Sequence, residues 1–195
     1  MKKVEDQTLI ENVLKGDTKS FGVLVARYKD YIFTVVYRML KVREDAEEVT
    51  QDAFLKAFEA LPSFRGEAKF STWIYRIAYR KALDKLKINK RNQHFELIED
   101  QTEGEIVDME NALKYLLDDE RKQIIQNCIL QLGEVEAAII TMYYFDELSV
   151  KEIVDITALT EDNIKVKLYR SRKRLFTLLK DSIHPEKLKI NERAI

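Results

Sequence analysis

The chain has 195 residues, of which 46% are hydrophobic and 34% charged, and its formal net charge is −1. This length allows one domain or two small ones. Because only 5 glycines and 2 prolines occur and long segments have helical periodicity, the composition favours an all-α fold. The single cysteine, Cys128, excludes an internal disulfide, and with only two histidines we expect no metal site.

Several functional classes are disfavoured by what the sequence lacks. It contains no glycine-rich phosphate loop, no nucleophile elbow and no paired histidines, so we expect neither an enzyme nor a cofactor. Charged residues follow Met1 without the apolar core of a signal peptide after them, and no apolar run is long enough to cross a bilayer. We therefore expect a cytoplasmic protein.

Opposite charges are separated along the chain. Residues 65–91 contain nine Lys or Arg against two Asp or Glu, and residues 163–180 contain seven against none. Residues 95–120 reverse the balance, with ten acidic residues and one Lys. The two basic segments are candidate phosphate-facing surfaces, and the acidic segment is typical of a connector.

The N-terminal half contains four segments in which apolar residues recur at intervals of three and four. Asp17 or Thr18 is predicted to cap the second segment, Pro62 ends the third, and a loop over 62–69 precedes the fourth. The predicted helices cover about residues 5–15, 18–39, 45–61 and 70–89. The first is expected to have one apolar face made of Leu9, Ile10, Val13 and Leu14.

The C-terminal half ends in a predicted helix-turn-helix. After a short connector helix over 107–117, two helices over about 119–132 and 134–145 are separated at Gly133. Ser149 then caps a short helix, a break follows at 157–159, and Thr160 caps the final helix. The inward face of that helix is predicted to consist of Ile164, Leu168, Ser171, Leu175 and Leu178.

The final helix is basic on its other faces, which suits a helix that enters the major groove of DNA. Arg and Lys side chains there can bind guanine edges or phosphates. The alternative is an amphipathic surface helix whose cations are only solvated. The candidate DNA-binding residues are Asn163, Lys165, Lys167, Arg170, Lys173 and Arg174.

Aromatic and basic residues are mixed in the 62–69 loop and the helix after it. Such a mixture suits unpaired DNA, because bases stack on aromatic rings and cations follow the backbone. The alternative is that most of these aromatic residues belong to the core. The candidate residues are Arg65, Lys69, Phe70, Ser71, Thr72, Trp73, Arg76, Arg80, Lys87, Lys90 and Arg91.

The third predicted helix begins with the acidic segment 45–52, which phosphates would repel. Its residues alone leave two interpretations open. The segment is either a surface for a protein partner or an exposed helix start whose carboxylates interact with the helix macrodipole.

Three stretches give the chain a resemblance to a known family. They are DAEEVTQDAFLKAFEAL at 45–61, FRGEAKFSTWIYRIAYRKALDKL at 64–86, and YYFDELSVKEIVDITALTEDNIKVKLYRSRKRL at 143–175. Together with residues 23–33, they make the chain resemble the sigma-70 family, specifically its extracytoplasmic-function (ECF) subgroup.

The resemblance implies an architecture of two small helical domains joined by an acidic linker. Residues 1-92 correspond to region 2, 93-118 to the linker, 119-185 to region 4, and 186-195 to a tail. It also implies core RNA polymerase and promoter DNA as partners, with an anti-sigma factor as a further partner.

The resemblance also assigns roles to the candidate residues. The basic segment of region 2 would open and read the minus-ten promoter element, and the final helix would read the minus-thirty-five element. Docking on the polymerase would use Asp45, Glu48, Gln51 and Asp52. Departures from the family pattern occur at Arg80, at Asp162-Asn163, at Val166 and at Ala158, where the turn usually has Gly.

A stand-alone helix-turn-helix regulator is the competing hypothesis, with the N-terminal half sensing a signal or dimerising. It predicts tight, sequence-specific binding to a two-fold symmetric duplex without polymerase.

Overall fold

The computed structural model of the chain describes residues 5–92 and 118–182. Within those ranges the secondary structure is helical and contains no strand. The elements, in chain order, are α1 (Asp6–Leu14), α2 (Thr18–Leu40), α3 (Arg43–Ala60), a 3-10 turn (Leu61–Ser63), α4 (Phe70–Asn92), α5 (Asp118–Leu130), α6 (Glu134–Tyr144), α7 (Val150–Thr157) and α8 (Glu161–Ser182). The predicted all-α fold is therefore confirmed. The predicted connector helix over 107–117 lies outside the described residues.

The helix starts of the N-terminal half follow from their caps. Asp17 caps α2, because its carboxylate accepts hydrogen bonds from the Lys19 amide at 3.1 Å and the Ser20 hydroxyl at 2.7 Å. Helix α3 begins at Arg43, two residues earlier than predicted, and the Val42 carbonyl accepts its first backbone hydrogen bond, from Ala46. Glu44 and Asp45 then lie in the first turn, where the macrodipole favours carboxylates.

The predicted helix-turn-helix is confirmed as α7 and α8. Ser149 and Glu152 form a reciprocal capping box at the start of α7. Thr160 caps α8 by accepting the Asn163 amide hydrogen bond at 3.3 Å. Between the two helices, Ala158 ends α7 in the left-handed conformation, with φ of 61°.

Replacing Ala158 with glycine should stabilise the protein, because a left-handed backbone strains any residue that has a Cβ. We expect Ala158→Gly to raise the free energy of unfolding by about 1 kcal/mol. Ala26→Gly is the matched control, since Ala26 is exposed inside α2 and should lose about 1 kcal/mol. Urea denaturation measures both, and equal losses in the two variants would contradict the expectation.

One apolar core runs through both halves of the chain. Helix α2 packs against α1, α3 and α4 on the N-terminal side and also against α6, while α4 packs against α7. The two basic segments, whose nearest ends are 72 residues apart, are therefore brought into one body. The largest fully buried side chains are Leu24, Ile32, Met39, Leu61, Ile74, Ile129, Leu132, Ile139, Ile140, Met142, Ile153 and Ile156.

Most of the predicted core positions are confirmed, with one clear exception in α1. Leu9 and Ile10 are buried and Val13 is partly buried, but Leu14 is 51% exposed. Leu14 is the last residue of α1, where the chain turns toward Gly16, so its side chain lies beyond the helix packing. Among the described residues, no helix is long and apolar enough to cross a membrane.

Candidate polymerase and nucleic-acid interfaces

The acidic residues of α3 lie against the basic second half of α4. The Lys85 Nζ is 3.2 Å from Asp45 Oδ1 and 2.7 Å from Glu48 Oε2. Lys81 Nζ is 3.0 Å from Asp52 Oδ2. The carboxylates of α3 thus neutralise part of the positive charge of α4. The sequence of residues 45–52 by itself does not indicate this pairing.

These carboxylates remain accessible to a partner to different degrees. The side chains of Glu48 and Asp52 are 63% and 54% exposed, whereas that of Asp45 is 23% exposed. A hydrogen bond from the Asn89 side chain, reinforced by Lys85, lowers the pKa of Asp45. Asp45 is therefore held in place by α4, and Glu48 and Asp52 provide the charge that a partner would meet.

Gln51 lies on a different side of α3, at a groove between α2 and α3. The groove has a volume of about 700 Å³ and is mostly apolar. Two of its α3 residues, Leu55 and Phe58, are 63% and 40% exposed. The helical pattern of the sequence does not predict this groove. The sequence feature that could have indicated the groove is that these two apolar residues do not lie on the inward face of α3.

The aromatic residues around the 62–69 loop form a packed cluster. The ring centroids of Phe64 and Trp73 are 5.0 Å apart, and those of Phe70 and Trp73 are 5.8 Å apart. Phe70 is 3% exposed and also contacts Tyr28. Phe70 is thus a core residue in this arrangement, as the alternative interpretation of the aromatics expected, whereas Trp73 remains half-buried.

The polar candidates for the minus-ten surface differ widely in exposure. Arg65 and Lys69 have 84% and 75% exposed side chains, and Arg80 is exposed as well. Lys87 is exposed and lies 3.1 Å from Asp84. Ser71 and Arg76 are half-buried, and Thr72 is buried. The side chains of Lys90 and Arg91 lie outside the part that the structure describes.

A cavity of about 360 Å³ lies where the 62–69 loop meets α4. Arg65, Trp73 and Arg76 line it, so the structure brings these three candidates together. The Nε of Arg76 is buried and has no hydrogen-bond partner among the described residues. The remaining wall includes Asp155 of α7, which places a carboxylate of the C-terminal half beside the predicted DNA surface.

In α8 the predicted inward face is confirmed, because Ile164, Leu168 and Ser171 are buried. Leu175 and Leu178 are partly buried against the same core.

The six α8 candidates do not share one side of the helix. Asn163, Lys167, Arg170 and Arg174 recur at intervals of four, three and four, so they line one side. Lys167 is half-buried, with its Nζ 2.5 Å from Glu136 of α6. Lys173 and Lys165 lie on other sides of α8. Lys173 is half-buried, whereas Lys165 is exposed and pairs with Glu161 at 2.6 Å. Asn163 and Arg170 are thus the exposed candidates on the shared side.

A buried polar cluster joins the two halves of the chain. Arg38 of α2 is 5% exposed, donates a hydrogen bond to Thr141 Oγ1 at 2.8 Å and lies over the Phe145 ring, 4.4 Å from its centroid. Burial raises the pKa of Asp146 to about 6, although the Tyr75 hydroxyl and the charge of Arg38 act to lower it. These residues are distant in sequence, so no local pattern could have indicated the cluster.

Two further contacts cross between the halves. Lys41 Nζ donates to the Leu132 carbonyl oxygen at 3.0 Å. Lys69 Nζ lies 2.9 Å from Glu152 Oε1 of α7. The hydrogen bond from Lys69, together with those from Ser149, lowers the pKa of Glu152 to about 2.

Comparisons with known proteins match the two halves separately. The family description "Sigma-70 region 2" matches residues 24–92, and "Sigma-70, region 4" matches residues 122–175. The chain is 33% identical to the ECF RNA polymerase sigma factor SigW of Bacillus subtilis over 178 residues, or 88% of this chain and 95% of that protein. It is 34% identical to the ECF RNA polymerase sigma-E factor of Escherichia coli over 89% of this chain and 93% of that one.

Solved structures show the same fold. CnrH, in complex with the cytosolic domain of CnrY, matches with a TM-score of 0.63 and 20% identity, over 90% of this chain and 97% of CnrH. The sigma factor RpoE of Bartonella quintana, in complex with the anti-sigma factor NepR, matches with a TM-score of 0.65 and 19% identity, over 84% and 98% of the two chains.

Two basic surfaces on one helical body, one of them on a helix-turn-helix, define a class of DNA-binding protein. The similarity to ECF sigma factors, which extends over 88% and 89% of this chain in the two relatives, then specifies which member of that class it is. The chain belongs to the sigma-70 family of RNA polymerase sigma factors, in its ECF group. It is a transcription initiation factor, whose partners are core RNA polymerase and promoter DNA.

Proposed function

We propose that the two halves divide the work of initiation. Residues 1-92 bind core polymerase and the minus-ten element, and residues 119-185 bind the minus-thirty-five element. The acidic segment 93-118 links them, and 186-195 form a tail. The chain acts in the cytoplasm as a binding factor and not as an enzyme.

The observation that carries this proposal is the separation of surface charge by element. Carboxylates and an apolar groove lie on α3, whereas exposed cations lie on the 62–69 loop and on α8. A carboxylate surface repels phosphates and suits a protein, and the cationic surfaces suit nucleic acid. In this proposal Glu48, Gln51 and Asp52 contact the polymerase, with Asp45 positioning the start of the helix.

Reconstitution with polymerase tests the proposal directly. Purified full-length chain is mixed with sigma-free core polymerase and a fragment library of bacterial DNA, and the bound fragments and transcripts are sequenced. We expect transcripts that start at a fixed distance from a pair of short motifs. Binding of a symmetric duplex by the chain alone, with no complex with core polymerase, would favour the stand-alone regulator.

Arg170 should contribute most to reading of the upstream element, because it is exposed on the side shared with Asn163. We expect Arg170→Ala to weaken binding of the selected minus-thirty-five duplex by about tenfold, since a good Arg–base contact is worth about 1–3 kcal/mol. Arg172→Ala is the control, because Arg172 is also exposed on α8 but points away from that side. Fluorescence anisotropy at fixed salt measures both, and equal losses would contradict this orientation of α8.

A further proposed partner is an anti-sigma factor. The RpoE neighbour was solved in complex with one, NepR, and shares this fold. Affinity purification of the tagged chain from its native cells, followed by mass spectrometry and rebinding of the purified candidate, tests this proposal. A partner that blocks binding to core polymerase is expected.

A further inference from the structure

Part of the predicted minus-ten surface lies against another part of the same chain. Helix α7, the first helix of the helix-turn-helix, packs against α4. Its Glu152 pairs with Lys69, and its Asp155 lines the cavity that holds Arg65, Trp73 and Arg76. The candidates for contact with the unpaired DNA strand therefore already face carboxylates.

The two carboxylates are arranged to meet that surface together. Glu152 and Asp155 are three residues apart on α7, so both project from one side of the helix. The capping box holds Glu152, because the backbone amide of Ser149 donates to Glu152 Oε2 at 2.9 Å and the Ser149 hydroxyl lies 2.7 Å from the same oxygen. The side chain of Glu152 is only 19% exposed, so its position is fixed before any ligand arrives.

DNA phosphates and these carboxylates carry the same charge, and both would bind the same cations. An unpaired strand that contacts Lys69 and reaches Arg76 would have to displace the carboxylates of α7 or be repelled by them. Arg76 supports this competition, because its buried Nε has no partner among the described residues and remains able to donate a hydrogen bond once α7 leaves.

We propose that α7 is an intramolecular competitor for the minus-ten surface, with Glu152 and Asp155 occupying the place of strand phosphates. This inference rests on the proposed DNA-reading role of residues 65–76. In the closed arrangement described here, α7 occupies the part of the surface at Lys69 and at the cavity that Arg76 lines. The strand binds after α7 has moved away, so separation of the halves accompanies promoter recognition.

Zero-length cross-linking of the full-length chain tests the contact itself. A carbodiimide should join Lys69 to Glu152, whose charged atoms are 2.9 Å apart, and peptide mass spectrometry detects the product. Adding saturating fluorescein-labelled single-stranded 12-mers of random sequence should reduce this product at least fivefold. The Lys81–Asp52 product, from a pair within the N-terminal half, is the internal control and should not change.

Charge-neutral variants test the competition. Glu152→Gln with Asp155→Asn retains the shape of both side chains and of the capping box, and should bind the 12-mers about fivefold more tightly, given the usual strength of exposed ion pairs. Asp30→Asn with Glu44→Gln removes the same charge from two exposed residues of α2 and α3 that are not DNA-binding candidates, and should change affinity less than twofold.

The outcomes separate this inference from the proposed function. A Lys69–Glu152 product that persists with DNA bound, or equal affinities of the two double variants, would overturn the competition and leave DNA binding intact. Absence of the product in the free chain would overturn the closed contact. If neither the chain nor any variant binds DNA with or without core polymerase, the proposed function fails, and the competition fails with it.

Discussion

Replacing Arg38 with alanine should separate the two halves of the protein. The substitution removes the hydrogen bond to Thr141, the contact with the Phe145 ring and the positive charge that acts to lower the pKa of Asp146. A hydrogen bond from a charged group contributes about 1.5–3 kcal/mol and a partly desolvated cation–π contact about 0.5–2 kcal/mol, so we expect a loss of about 3 kcal/mol. About 3 kcal/mol corresponds to a shift of more than a hundredfold toward the open form.

The single tryptophan of the chain reports this opening. Trp73 is half-buried and lines the cavity that Asp155 closes from the other half. In Arg38→Ala its emission should shift to longer wavelength, and its quenching by acrylamide should increase, while the helical circular dichroism is unchanged. Small-angle scattering should show a larger radius of gyration.

Arg43→Ala is the matched control for Arg38. Like Arg38, Arg43 has one side-chain hydrogen-bond partner, Glu47 at 2.9 Å, and lies over an aromatic ring, Phe33 at 5.7 Å, but both partners belong to the N-terminal half. Its replacement should leave the Trp73 emission unchanged. If the two variants behave alike, Arg38 does not hold the halves together.

Reversing the charge of Asp52 should weaken binding to core polymerase by about thirtyfold, equivalent to about 2 kcal/mol for a charge that becomes desolvated in a complex. The difficulty is that Asp52 also pairs with Lys81, so Asp52→Lys alone disturbs the packing of α3 on α4. Affinity alone would then not distinguish docking from folding.

The double variant Asp52→Lys with Lys81→Glu resolves this difficulty. It restores the pair within the chain at a site where the described residues offer no other charged partner, but presents the opposite charge outward. We expect its thermal unfolding midpoint to match that of the unmodified protein and its affinity for core polymerase to remain low. Recovery of polymerase binding in the double variant would show that Asp52 acts through α4 and not through the partner.

The helices and most of their ends could be predicted from the sequence, because apolar spacing and capping residues act within a few positions along the chain. Asp17, Ser149 and Thr160 each bond backbone amides two or three residues away, so their capping roles could be predicted from spacing. The inward face of α8 likewise follows from the helical repeat. The starting position of α3 differed by two residues, since the N-cap Val42 makes no side-chain capping bond that could mark it.

The sequence by itself determined the helical elements, the helix-turn-helix and the separation of charge, since these depend on residues within a turn or two of each other. Only the tertiary structure decided what the charges contact. Lys69 is paired to a carboxylate 83 positions away, Lys167 is tied to α6, and Arg38 meets its partners across the interface between the halves. Pairing over such separations depends on how whole helices pack, and helical periodicity carries no information about which helix a given face will meet.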